Sequence, residues 1–62
     1  MLALTRRRGE EIVIIDKETG EEMVIAVLRQ MQHETRIGIE ASPRFEIFRR
    51  EVLERKRATD PV

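Results

Sequence analysis

The sequence has no cysteine, tryptophan or tyrosine, and only two phenylalanines, two prolines and three glycines. Without cysteine, neither a disulfide nor a thiolate metal site can form. The single histidine, His33, has no carboxylate cluster around it and cannot build a zinc site alone. No glycine-rich phosphate loop is present, and no serine is paired with a base as a nucleophile would be. Ser42, beside Pro43, reads as a loop residue, and His33 reads as an exposed turn residue. Glu10 and Glu11 alternate across a strand, so they cannot act as a carboxylate pair. The expectation is therefore a protein that is not an enzyme and holds no metal or cofactor.

Long apolar runs are also lacking, since nothing approaches the ~20 residues that cross a bilayer. The opening MLALTRRRGE places its charges after a very short apolar stretch, the wrong order for a secretory leader. A cytoplasmic protein with no membrane association is expected. An excess of either charge is missing too: twelve basic residues balance twelve acidic ones. Zero net charge argues against coating nucleic acid by bulk electrostatics, because such binding scales with the phosphates neutralised.

The charges are nevertheless unevenly placed. Residues 10–22 hold six acids against Lys17 alone, while Arg6, Arg7 and Arg8 precede them and Arg49, Arg50, Arg55, Lys56 and Arg57 follow. Ten of the twelve basic residues are arginine, the side chain suited to planar, bidentate contact with phosphate or guanine. A GC-rich genome would enrich arginine equally well. On spacing alone the three N-terminal arginines read as solvated or paired with the acidic block.

The hydrophobic pattern is mainly β, with five short strands and a C-terminal helix. MLALTRR alternates as a strand, Gly9 marks a bend, and EIVIID is a second strand rich in β-branched residues. DKETGEE is turn chemistry. MVIAVLRQM is apolar on both faces and predicts a central strand covered on both sides. QHE supplies a turn, TRIGIE a fourth strand with Ile37 and Ile39 inward, ASPR a loop and FEIF a fifth strand. From about Arg49 the period becomes helical, with Glu51 and Arg55 spaced as an i, i+4 pair and Val52 and Leu53 as the large apolar residues. Arg49 and Arg50 would oppose the dipole at a helix start, unless Arg49 still belongs to the fifth strand. One domain over 1–58 and a disordered tail over 59–62 are expected.

A chain of 62 residues is too small to build a large core. Five strands in so small a unit leave open edges that invite a second chain. With disulfides and metals excluded, an obligate strand-exchanged homodimer is the remaining support. Phe45 and Phe48 fall on opposite strand faces, so no aromatic platform exists for stacking bases. RNA reading would have to use arginines, apolar edges and loop backbone, for which EASPRF is the best candidate.

Three segments resemble the carbon storage regulator family (CsrA/RsmA). MLALTRRRGE is similar to its N-terminal signature, RIGIEAS to its Arg-Ile-Gly segment, and IFRREV to its Val-His-Arg-Glu-Glu-Ile segment. The similarity runs in order from Met1 to about Arg57. It implies a homodimer whose strands interleave into two mixed sheets, with the helices outside. It also implies binding of GGA-containing messenger RNA hairpins near ribosome-binding sites, with repression of translation or altered message stability. Small regulatory RNAs and a protein antagonist are further implied partners.

Carried over by position, the RNA-binding residues are Leu4, Thr5, Arg6 and Arg7 on the first strand and Ala41, Ser42 and Pro43 in the loop. Ile47, Arg49 and Val52 complete the set. Arg6 and Arg49 would contact phosphate and guanine, the loop would read purines through its backbone, and Leu4, Ile47 and Val52 would pack beneath. Each site would join the first strand of one chain to the fifth strand of the other.

Departures from the family pattern are a longer first hairpin through DKETGEE, a turn near MQHE without glycine, and a proline moved one place to Pro43. Phe48 stands where histidine is usual and Arg50 where an acid is usual. The acidic hairpin is a candidate site for a protein partner. The alternative function is thus a protein-interaction module of the same fold, for example one that binds a flagellar assembly factor. A β-ribbon DNA-binding dimer is disfavoured by the neutral charge and the lack of an extended basic ribbon.

Overall fold

The computed structural model describes residues 1–29, 31 and 33–59. Five strands precede one helix: β1 (Leu2–Arg6), β2 (Glu11–Asp16), β3 (Glu22–Ala26), β4 (Thr35–Ile39), β5 (Phe45–Arg49) and α1 (Arg50–Thr59). The fold is mainly β. Within the chain β1 pairs with β4, and β2 lies between β3 and β5, every pairing being antiparallel.

Two glycines make the first reversals. Gly9 takes φ +87°, open to glycine at little cost, and its N–H donates to the Val27 carbonyl at 2.8 Å. Gly20 takes φ +81° and closes the β2–β3 hairpin through its N–H to the Asp16 carbonyl, 2.7 Å. Asp16 organises that hairpin: its Oδ1 accepts from the Glu18 N–H at 2.9 Å and the Thr19 N–H at 3.4 Å, an Asx turn. Thr19 Oγ1 in turn accepts from the Glu21 N–H at 3.1 Å.

One expectation is corrected here. The segment read as a central, doubly covered strand is an edge strand, with Met23 58% and Val24 47% exposed. The central place belongs to β2, whose Ile12 and Val13 are fully buried although they point to opposite faces. The β-branched run of β2 has strands on both sides, so its faces are the ones that fill. The core among the described residues is small: Ile12, Val13, Val27 and Leu53.

Arg49 ends β5, and the helix begins at Arg50, so no dipole cost falls on Arg49. Arg50 is offset by Glu11, its Nε donating to Glu11 Oε1 at 2.8 Å. Helix α1 packs on β2 and β5 through the buried Leu53, and Lys56 lies 5.2 Å over the Phe48 ring. Its last turn is tied to the start of β3 by Arg57 and Glu22 at 2.6 Å. The helix includes Thr59, expected in the tail; the rest of that tail, 60–62, lies outside the described residues, as does Gln32 of the expected QHE turn. Among the described residues no helix is long and apolar enough to cross a membrane, and no group of three or more possible ligands could hold a metal ion.

Candidate nucleic-acid interface

The candidate residues fall in two places on the chain. The first lies where the end of β1 meets the start of α1. Arg6 is the last residue of β1 and is only 4% exposed. Its guanidinium makes four hydrogen bonds: Nη1 donates to Glu51 Oε1 at 2.8 Å and Nη2 to Glu51 Oε2 at 2.6 Å, a bidentate fork. Nη1 also donates to the Glu11 carbonyl and Nε to the Thr5 carbonyl, both at 3.1 Å. Glu10 adds a carboxylate at 3.8 Å.

The pairing holds the Glu51 carboxyl down at about 2, chiefly through the hydrogen bonds from Arg6, helped by its own backbone N–H. Arg6 is raised further above its ordinary value, with the Glu51 hydrogen bonds outweighing the cost of burial. A basic residue read from the sequence as a strand-edge contact is thus the seal between β1 and α1. Glu51 was missed as its partner because 45 residues separate the two.

Around that seal the other candidates face outward. Thr5 and Arg7 are exposed, as is Arg8 outside the expected site, and the Arg7 N–H donates to Glu10 Oε1 at 2.7 Å. Arg49 is exposed, and its side chain forms no hydrogen bond or salt bridge with the described residues. Val52, on the first turn of α1, is 39% exposed. Leu4 is half-buried opposite Ile37, and Ile47 is half-buried opposite Ile14.

The second place is the β4–β5 connection. Ser42, Pro43, Arg44 and Phe45 form a tight turn closed by the Phe45 N–H to the Ser42 carbonyl, 3.1 Å. Pro43 supplies the fixed φ that the second turn position favours, and Arg44 keeps a negative φ, as in a type I turn. Ala41, Ser42 and Pro43 are exposed, and the N–H groups of Ala41 and Ser42 carry no hydrogen bond within the described chain. Arg44, absent from the expected site, is bound bidentately by Asp16, Nε to Oδ1 at 2.8 Å and Nη2 to Oδ2 at 2.6 Å. Its Nη1 lies 3.3 Å from Glu18 Oε2.

Loop and arginine end are not adjacent in one chain. They lie at opposite ends of β5, whose five residues span about 13 Å at the usual rise. The single chain therefore brings Arg6, Arg7, Arg49 and Val52 together around the Glu51 seal, and holds Ala41, Ser42 and Pro43 apart from them.

The chain is 48% identical over 54 residues to proteins called "Translational regulator CsrA" from Thermotoga maritima and Thermotoga petrophila. A protein of the same name from Thermotoga sp. strain RQ2 shows the same identity. In each case the matched segment covers 87% of this chain and 59% of the relative, so the chain spans about three-fifths of the length of these curated relatives. No solved structure matches. Residues 1–58 match the model of the CsrA family, described as a global regulator protein family, and this chain therefore belongs to that family.

Proposed function

We propose that this chain is a cytoplasmic, sequence-specific messenger RNA-binding protein that regulates translation. In this reading it recognises GGA motifs in hairpins near ribosome-binding sites, and binding represses translation or alters message stability. The observation that carries the reading is the set of exposed cations Arg7 and Arg49 around the Arg6/Glu51 seal. Arg7 follows Arg6 directly and Arg49 stands two residues before Glu51, so the bidentate ion pair fixes the backbone beside each, as groups that must meet an RNA in one geometry require. Arg7 and Arg49 make the contacts to phosphate and guanine. Arg6 acts through the seal, and Leu4, Ile47 and Val52 give the site its apolar floor. Thr5, together with the backbone of Ala41, Ser42 and Pro43, reads purine edges. Small regulatory RNAs with the same motif would compete for this surface. The names of the relatives, translational regulators, support this function class.

A homodimer belongs to the same proposal. The chain has a radius of gyration of 12.6 Å, against about 10.6 Å for a compact domain of its length. Its accessible surface is 5058 Å², roughly 900 Å² more than the size scaling of compact monomers gives. That excess is close to the ~800 Å² each partner contributes to a standard interface. Exposed Leu2, Met23, Val24 and Leu28 supply apolar area for it. The pairings β1 with β4 and β2 with β5 could be made with the same residue partners between two copies. Exchange of that kind would bring the β1 of one protomer beside the β5 of its partner, so that each site would draw on both chains.

Titration of a GGA hairpin, a GGA-to-CCA hairpin and duplex DNA tests the reading, with wild type and Arg49→Ala. The GGA hairpin should bind best, and Arg49→Ala should lose about 5- to 150-fold, the range of one bidentate arginine–guanine contact. Equal weak binding of all three nucleic acids would defeat it.

A further inference from the structure

Arg44 stands in the best-anchored place of the exposed surface, and neither the family match nor the expected site uses it. Its side chain is gripped by both oxygens of Asp16 at 2.8 and 2.6 Å and approached by Glu18 at 3.3 Å. Its guanidinium lies 5.6 Å over the Phe45 ring, and its carbonyl accepts from the Lys17 N–H at 2.9 Å. Backbone and side chain of the third residue of the Ser42 turn are therefore both fixed from the β2–β3 hairpin. The same Asp16 Oδ1 that takes Arg44 Nε also takes the Glu18 and Thr19 amides. One carboxylate thus organises two loops, and Asp16 is held well below the ordinary carboxylate range, first of all by Arg44.

We propose that the Asp16/Arg44 clamp is a positioning device: it fixes the 42–45 turn and thereby the shape of the Ala41 and Ser42 backbone that discriminates bases. The inference rests on the RNA-binding reading and deepens it, because it names what sets specificity rather than affinity. The acidic β2–β3 hairpin thereby gains a task. It is a brace for the reading loop, with Asp16 and Glu18 turned onto the cation that follows Pro43. Direct phosphate binding by Arg44 is the competing use, and it would require the guanidinium to leave two carboxylates. The two uses differ in sign. A positioning Arg44 needs Asp16, whereas a phosphate-binding Arg44 would be freed by losing it.

Asp16→Asn keeps an acceptor for the hairpin amides while removing the charge, and Arg44→Lys keeps the charge while removing the fork. Both are compared with wild type for affinity to the GGA and CCA hairpins, for the amide exchange rate of Phe45 in the free protein, and for the thermal midpoint. The expected result is a drop of about fivefold in the GGA-to-CCA ratio in each variant, the scale of one exposed ion pair. CCA binding and the thermal midpoint should barely move, exchange at the Phe45 amide should quicken in both, and the double variant should be no worse than either single one. Unchanged discrimination in both variants, unchanged Phe45 exchange, or tighter GGA binding by Asp16→Asn would each overturn the clamp. A wild type that shows no GGA preference defeats the RNA reading and the specificity role together. Phe45 exchange would then still report whether the clamp shapes the turn.

Discussion

At the scale of single residues, the burial of Arg6 decides most. A guanidinium 4% exposed must have its charge met, and among the described residues no buried side-chain polar atom lacks a partner. Glu51→Gln would leave one hydrogen bond and remove the countercharge. Urea unfolding at pH 7 should show a loss of about 1–3 kcal/mol, toward the lower end because the Glu51 side chain is half exposed. The pair also carries a pH signature. Folded Glu51 titrates near 2 against an ordinary value of 4.5, so its contribution is complete above 4.5 and fades as pH falls toward 2. The thermal midpoint should therefore fall more steeply across that window in wild type than in Glu51→Gln. None of this was legible in the sequence. RRR reads as a strand end with alternating faces, but β1 stops at Arg6, Arg7 and Arg8 are both exposed beyond it, and which carboxylate meets Arg6 depends on where α1 lands.

Elements were easier to read than their neighbours. The alternation in TRIGIE and the β-branched run in EIVIID match β4 and β2, and the two turn glycines sit where φ is positive. Strand order was not legible: MVIAVLRQM looked central because composition reports apolarity, not which neighbour arrives on each side. The helix was read with a narrow apolar stripe, and one residue of it, Leu53, is buried at 3% exposure. In a core of four described hydrophobic residues that contact should matter greatly. Leu53→Ala is expected to cost about 2–5 kcal/mol, a large share of what a small domain possesses. Circular dichroism at rising temperature would show it, and a midpoint within a degree or two of wild type would mean that the ion pairs alone hold α1. Of those pairs, Arg50 with Glu11 and Arg57 with Glu22 lie on or near the surface and are individually weak, whereas Arg6 of the Glu51 pair is buried.

For the whole molecule, size and shape argue together. The extents of 40 × 26 × 16 Å describe a flat, elongated chain with little interior. A partner that covers the exposed apolar side chains would correct that, and sedimentation velocity at micromolar concentration should give twice the mass of one chain. The same preparation should bind two GGA hairpins per dimer. A monomer would refute the shared site. The candidate site was legible only as a set of positions. That Arg7 and Arg49 share one end while Ala41, Ser42 and Pro43 lie at the other follows from register, which no local pattern encodes.

The Arg6/Glu51 seal also bears on the order in which the chain can fold. The β2–β3 hairpin joins near neighbours, Ile15 with Glu22, and closes a short loop. Leu2 with Ile39 and Ile12 with Arg49 join residues 37 apart, and Arg6 must wait for Glu51, further along still. Closing long loops before their contacts repay the lost entropy makes such a topology slow for its length. During synthesis the hairpin can form early, while Arg6 stays hydrated at the end of an unsealed strand. Arg6 is thus locked by a carboxylate made 45 residues after it, and the seal closes late.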